Sequence, residues 1–395
     1  MFNVSATDYL ARLGRLLEKE TFTAGTEAAM LLSLRDPHAM NSNLWRPDRH
    51  LIGRYIPSPF DNMVMLHLKC INSVNERKFA DAYVSQSQLI QVFVREVLQK
   101  RKDENWFLPI CYRICSDLRM CAQSVGGQAQ GADLHGEKTA APDSTSYYEQ
   151  RASLDVTKRM AVLNLTNQLF RIYFKINKLN LLKPLVRAVE NSGALFDHFS
   201  MADKVTYKYF TGRKAMFDSE FEKAEESLSF AFRNCPASSQ KNKRLILMYL
   251  IPVKMFLGHM PSDKLLANYK LEQFHDVADA VRQGNLLKLE ESLETHESFF
   301  IKCGIFLMLE KLKIITYRTL FKKVCHILNT HQVPLAAFVD ALRFMNVEDI
   351  DNSEVACIVA NLIVQGKIKG YLSHQHQKLV ISKNNPFPPL STVSA

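Results

Sequence analysis

Glycine and proline are scarce in this chain, with 14 of each among 395 residues. That scarcity excludes collagen-like, glycine-rich and proline-rich classes for the chain as a whole. No apolar run is long enough to cross a bilayer. The longest, residues 245–258, is interrupted by Pro252 and Lys254, so no membrane insertion is expected. Residues 1–20 are mixed-charge and amphipathic, without the apolar stretch of a secretory signal. The eight cysteines, at 70, 111, 115, 121, 235, 303, 325 and 357, form no C-x-x-C pair and mostly sit in apolar surroundings. This predicts free, mostly buried thiols and a reducing compartment, cytosol or nucleus. Glycine-rich phosphate loops, a G-x-S-x-G elbow and an H-E-x-x-H pair are all missing. No nucleophile stands beside a convincing base, so the chain reads as a non-enzyme without a cofactor.

What is present is ordinary globular material: 47% hydrophobic and 23% charged residues, enough to bury a sizeable core without staples. The net charge is +10 and the isoelectric point about 9.1. Such a surplus favours an acidic partner: a phosphate backbone, an acidic protein or an anionic surface. Lys241-Asn242-Lys243-Arg244 is a short candidate nuclear address.

Long stretches carry the 3.6-residue apolar period of helices. Residues 63–70, 79–99 and 106–121 read as helices of an N-terminal repeat region, 1–121. Within it, residues 36–60 contain prolines at 37, 47, 57 and 59 and read as an extended connector. Residues 122–150 are small, polar and glycine-rich, which reads as a disordered surface loop. Helical hairpins resume over 151–300. Gly212, Ala224, Leu228, Ala231 and Pro236 fall at the small-residue, large-apolar and stop positions of a tetratricopeptide repeat. Phe79-Ala80-Asp81-Ala82 echoes Phe221-Glu222-Lys223-Ala224, and residues 167–189 look like a further helix pair turning near Asn177. Stacked hairpins forming a right-handed solenoid are the reading; a plain helical bundle is the alternative.

Residues 301–383 change character. Tyr317, Leu320, Phe321, Val324, Ile327 and Leu328 stripe one helix, and residues 335–345 make a second. Val355, Ile358, Val359, Leu362 and Ile363 stripe a third, with Asn352 or Ser353 as its cap and Gly366 as its stop. Residues 367–373 and 378–382 read as two strands, and Ile314-Ile315-Thr316 as a short first strand. Three helices followed by a hairpin is the order of a winged helix. A proline-containing tail, 384–395, follows.

A mainly α chain of tetratricopeptide-like hairpins ending in a winged helix is the plan of the PCI domain family. The segments NQLFRIYFKINKLNLLKPLVRAV, VTYKYFTGRKAMFDSEFEKAEESLSFAF, SSQKNKRLILMYLIPVKMFLGHMP, FFIKCGIFLMLEKLKIITYRTLFKKV and GYLSHQHQKLVISKNNPFPPL resemble PCI subunits of the nuclear transcription-and-export complex. The resemblance runs from about residue 104 to 390 and is most specific after residue 164. It implies a non-enzymatic subunit that pairs with a large PCI-containing scaffold and with a small acidic subunit shared with the proteasome lid. It further implies promotion of messenger RNA export at the nuclear pore, with presence in nucleus and cytoplasm. It also implies a nucleic-acid surface made by two winged helices together. A structural subunit of a lid-like or signalosome-like assembly, with no nucleic-acid contact, is the competing reading.

His374 and His376 would share one side of a strand. Two imidazoles can begin a metal site, but zinc takes three or four ligands, so a phosphate-contacting wing tip or solvated rings compete with that reading. Arg318, Lys322 and Lys323 on the first helix, and Lys367, Lys369, Lys378 and Lys383 along the wing, complete a candidate set for non-specific contact with an RNA or DNA backbone. The same cations could face an acidic protein. Asp349, Asp351 and Glu354 at the start of the third helix repel phosphate and argue against major-groove reading. For the small acidic partner, the basic helical region after residue 240 is the expected site.

Overall fold

A computed structural model describes residues 5–44, 48–101, 104–128, 157–193, 195–347 and 349–392. The chain divides into two units, residues 1–199 and 200–395.

The first unit is a succession of helices: α1 (Ala6–Glu18), α2 (Phe22–Leu31), α3 (Arg49–Tyr55), α4 (Phe60–Asn75), α5 (Phe79–Phe93), α6 (Leu108–Gln128), α7 (Ala161–Lys175), α8 (Leu182–Glu190) and α9 (Leu195–His198). From α4 to α8 each helix packs on the next, which is the neighbour-to-neighbour logic of a repeat array. Ser5 and Thr21 cap α1 and α2 by accepting from the amides of Asp8 and Ala24, which satisfies donors that a helix start leaves open. The predicted extended connector, 36–60, is not extended. Pro37 opens a 3-10 turn (Pro37–Met40) capped by Asp36, a second turn spans Ser42–Leu44, and α3 follows. Proline at the first position of a helical turn starts that turn instead of breaking it, and Ala39, Leu44, Ile52 and Ile56 are buried. The predicted loop at 122–150 begins later than expected, because α6 continues to Gln128. The remainder of that segment lies outside the described residues.

Two close contacts hold this unit. The small face of α2 lets its backbone reach the segment before α6: a Cβ on Gly25 would lie 1.9 Å from the Trp106 carbonyl oxygen. A buried imidazole pair ties α4 to the 36–40 turn. His67 and His38 approach Nε2 to Nε2 at 3.2 Å, His38 Nδ1 donates to Asp36 at 2.9 Å, and Tyr9 stacks on His38. Burial lowers the His67 pKa to about 3, helped by neighbouring His38. Nearby, Asp117 accepts from the Leu34 amide at 3.0 Å, and burial raises its pKa to about 6.

The second unit starts with α10 (Met201–Phe217), α11 (Phe221–Asn234), α12 (Gln240–Phe256), α13 (Asp263–Asn268), α14 (His275–Gln283), α15 (Leu286–Thr295), α16 (Glu297–Cys303) and α17 (Phe306–Glu310). The repeat spacing is real geometry. Gly212 of α10 faces α11, where a Cβ would lie 2.7 Å from Leu228 Cγ. Ala224, Leu228 and Ala231 are buried along the α11 face. Pro236 follows the last residue of the hairpin, Cys235, where the backbone turns extended.

Then come α18 (Lys313–Leu328), β1 (Gln332–Pro334), α19 (Leu335–Phe344), α20 (Asn352–Val364), β2 (Gly370–Ser373) and β3 (Lys378–Ile381). The sheet order is β1-β3-β2, all antiparallel; Val333 pairs with Leu379, and Leu372 with Leu379 from the other side. The first strand is therefore not Ile314-Ile315-Thr316, which lies inside α18. There Thr316 and Thr319 return their hydroxyls to the carbonyls of Leu312 and Ile315, a pairing that lets β-hydroxyl residues sit in a helix. The apolar stripe of α18 also differs from the expected one. Ile315, Leu320, Phe321 and Cys325 are buried while Ile327 is 81% exposed. Phe321, Val333, Phe338, Leu342, Val355, Val359, Leu362 and Leu379 form the winged-helix core. Asp351, not Asn352 or Ser353, caps α20. Gly366, at φ +67°, ends it, with the Lys367 amide returning to the Leu362 carbonyl at 2.8 Å. No helix among the described residues is long and apolar enough to cross a membrane.

Two outcomes follow for the first unit, both read by tryptophan fluorescence, since both tryptophans precede residue 200. Gly25→Ala forces apart two backbones, and its urea midpoint should fall by the equivalent of about 1–3 kcal/mol; an unchanged midpoint refutes the contact. Neutral burial of His67 stabilises the fold above its ordinary pKa of 6.5, and that stability is lost as pH falls from 6.5 toward 3. Asp117 acts in the opposite sense, regaining stability as pH falls from about 6 to 3.8. His67→Gln should therefore flatten the acid limb of stability against pH, and Asp117→Asn should steepen it.

Candidate nucleic-acid and partner surface

The wing is built from β2, a four-residue turn and β3. His374, Gln375 and His376 occupy the exposed turn, and Gln377 closes it at φ +50°, its amide and side chain both donating to the His374 carbonyl. The two imidazoles thus stand at the tip. Among the described residues no group of three or more His, Cys, Asp or Glu is placed to hold a metal ion.

The candidate cations separate into two sets. Lys322, Lys323, Lys369 and Lys383 are exposed, and Lys378 is half-buried at the first position of β3. Arg318 and Lys367, by contrast, are only 7% and 4% exposed, which corrects their reading as solvent-facing phosphate contacts. Arg318 lies on the inner side of α18. Its Nε donates to the Lys367 carbonyl at 3.1 Å and its Nη2 to the Pro388 carbonyl at 2.6 Å, and its guanidinium sits 5.8 Å from the Phe387 ring centre. Lys367 donates to Gln365 Oε1 at 2.9 Å and approaches the Phe256 ring at 5.9 Å. Desolvation lowers the pKa of both cations, and Arg318 lowers that of Lys367 further. Neither meets a carboxylate within ion-pair distance among the described residues. The position of Arg318 on its helix gave no warning, because backbone carbonyls from distant segments supply its partners; Lys367 precedes β2 and is held by Gln365 and the Phe256 ring.

The tail, an extended segment free by sequence to lie along a partner or to fold back, folds back on its own domain. Phe387 and Pro388 are buried and Leu390 packs into the helical core, where a Cβ on Gly258 would lie 2.6 Å from Leu390 Cβ. The Lys369 amide donates to the Pro386 carbonyl and the Ser382 amide to the Lys369 carbonyl, each at 2.8 Å. The apolar Phe-Pro-Pro-Leu sequence was the available sign that this segment folds back.

Exposed Asp349 and Asp351 precede α20, and exposed Glu354 lies in its first turn. Exposed Phe344, Val364 and Tyr371 add apolar surface to the same domain. The 241–244 cluster is partly engaged. Lys243 donates to the Phe232 carbonyl over that ring, and Arg244 donates to the carbonyls of Tyr269 and Lys270. Next to it, a cavity of about 480 Å³ lies between α11, α12 and residues 258–265. Its one ion pair, Lys254 with Glu225 at 2.7 Å, satisfies itself and presents no free base. Of the cysteines, Cys357 is exposed, Cys115 and Cys303 are half-buried and the other five are buried.

Replacing Arg318 by Met leaves two buried carbonyls without a donor. The expected loss is roughly 2–3 kcal/mol in urea unfolding, with faster amide exchange at Lys369 and Ser382. Arg318→Lys, which keeps a cation but cannot span both carbonyls, should recover only part of it.

Residues 293–383 match the family model described as the PCI domain. The chain is 51% identical to PCI domain-containing protein 2 homolog of Caenorhabditis elegans, over 99% of this chain and 98% of that protein. It is 50% identical to PCI domain-containing protein 2 of Danio rerio over the full length of both. A more distant relative, Protein CSN12 homolog of Neurospora crassa, is 25% identical over 81% of this chain and 80% of its own length. These matches extend the resemblance through the first hundred residues.

Proposed function

From the premise that this chain belongs to the PCI domain-containing protein 2 family, we propose that it is a non-enzymatic subunit of the nuclear transcription-and-export complex. In this reading it promotes messenger RNA export and touches nucleic acid through its wing. The observation that carries the reading is the wing itself. Exposed Lys369 and Lys383, with half-buried Lys378, stand on a hairpin held rigidly to the helical core by Arg318 and the tail. Fixed cations on a convex hairpin suit a phosphate backbone, since they contact charge without reading sequence. The acidic start of α20 accords with that lack of base reading.

Partners in this reading are a large PCI-containing scaffold and a small acidic subunit. The basic α12 region and the surplus of +10 charges favour the second of these. Residence in the nucleus and at its pores belongs to the same proposal.

A second reading is a purely structural subunit. It is favoured by the burial of Arg318 and Lys367, which leaves fewer cations free on the winged helix, and by the exposed apolar Phe344 and Val364. One experiment separates the two. In the assembled complex, Lys369→Glu, Lys378→Glu and Lys383→Glu together should lower affinity for single-stranded RNA at least tenfold. They should also reduce the slope of log K against log salt by about 2, with every partner still co-purifying. Unchanged RNA affinity at low salt sinks the first reading; loss of a partner supports the second.

A further inference from the structure

The acid-free stretch of the chain that carries the most cations is not on the wing. Residues 157–189 hold seven Lys and Arg and no Asp or Glu, against a net charge of +10 for all 395 residues. This stretch covers the α7–α8 hairpin and the 3-10 turn Lys158–Met160 that leads into α7, all but Glu190, the last residue of α8.

The fold sets most of these cations out toward solvent; Lys158 instead donates to the Leu98 carbonyl at 3.0 Å. Helix α7 turns Leu163, Thr166, Asn167 and Phe170 inward, and α8 turns Leu182 and Val189 inward. The hairpin turn is closed by Asn177 at φ +54°, with the Lys178 amide returning to the Tyr173 carbonyl at 2.9 Å. What remains outside is Lys175, Lys178, Lys183 and Arg187, all exposed and none in an ion pair among the described residues. One turn before Lys175, the Nε of Arg171 is buried with no hydrogen-bond acceptor. Like charges gathered on one face repel one another. Some cations elsewhere in this chain are paired with acids, as in Lys254–Glu225 and Lys288–Asp276, whereas these four are not.

We propose that the α7–α8 hairpin is a second polyanion-binding surface, and that its ligand is the phosphate backbone of single-stranded RNA. The inference rests on the reading of the protein as a nucleic-acid-binding subunit and places a contact outside the winged helix. Three features select a nucleic acid over an acidic peptide. The charges are spread along a hairpin and not gathered around a pocket. Exposed Asn177 and Asn180 add neutral donors between the cations, a mixture that phosphate and sugar contacts use. The half-exposed ring of Tyr173 sits on the last turn of α7, offering a face for a base.

The test uses the assembled complex and an oligouridine probe. Lys175→Glu, Lys178→Glu, Lys183→Glu and Arg187→Glu together should weaken binding at least tenfold and reduce the salt slope by about 3, four contacts at about 0.7 each. The milder set with Gln at the same four positions should fall in the same direction at unchanged thermal stability, which guards against misfolding. Ultraviolet crosslinking should recover peptides from residues 171–187. An unaltered affinity and slope overturn the proposal, as does equal competition by polyglutamate or by anionic vesicles. Loss of a protein partner with RNA affinity intact overturns it too, making the hairpin an acidic-protein site. The wing variant is measured in parallel. If it fails to bind and the hairpin variant binds normally, this inference falls and the wing reading stands. If the hairpin variant alone loses binding, the reverse holds.

Discussion

One guanidinium, that of Arg318, fixes the C-terminal winged helix of this molecule. It bridges the carbonyl that begins the wing and the carbonyl of Pro388 in the tail, and it lies over the ring of Phe387. A buried cation without a carboxylate is costly unless its donors are spent on strong acceptors. Here the two acceptors belong to chain segments that would otherwise be free to move. The same contact explains why Gly258 faces Leu390 and why Lys369 and Ser382 keep their backbone bonds. The wing is thereby a fixed edge of the second unit and not an arm.

That constraint also sorts the basic residues. Those drawn into the core, Arg318 and Lys367, hold shape. Those left on the hairpin, Lys369, Lys378 and Lys383, are presented by that shape. A similar division operates around residue 240, where Lys243 and Arg244 are spent on carbonyls and Lys241 stays exposed. Net charge alone does not distinguish the two classes; backbone acceptors within reach do.

How much could be read from residues alone varied with the range of the interaction. The two hairpin strands of the wing, the third helix and the α10–α11 hairpin were legible because periodicity, Gly366 and the Gly212–Leu228 spacing are local signals. The 36–60 segment was not, because proline was taken as a breaker where Pro37 begins a capped turn. The strand expected at 314–316 failed on a similar point, since hydroxyl-to-carbonyl bonds within α18 override the β preference of Ile and Thr. The inward turn of Arg318 was invisible. Its partners lie 49 and 70 residues away in sequence, and no pattern of side chains marks a carbonyl as an acceptor.

The tail contact has a consequence for the order of synthesis. Among the described residues every α-helix and strand of the second unit precedes Phe387, with only a 3-10 turn, Leu390–Thr392, after it, so a growing chain holds all the segments of its hairpins and three-stranded sheet before it holds the clasp. Until residues 386–388 are in place, Arg318 has the Lys367 carbonyl to donate to but not that of Pro388. A chain cut short before Phe387 would carry the same lysines on a hairpin held by β1 and the Lys367 carbonyl alone.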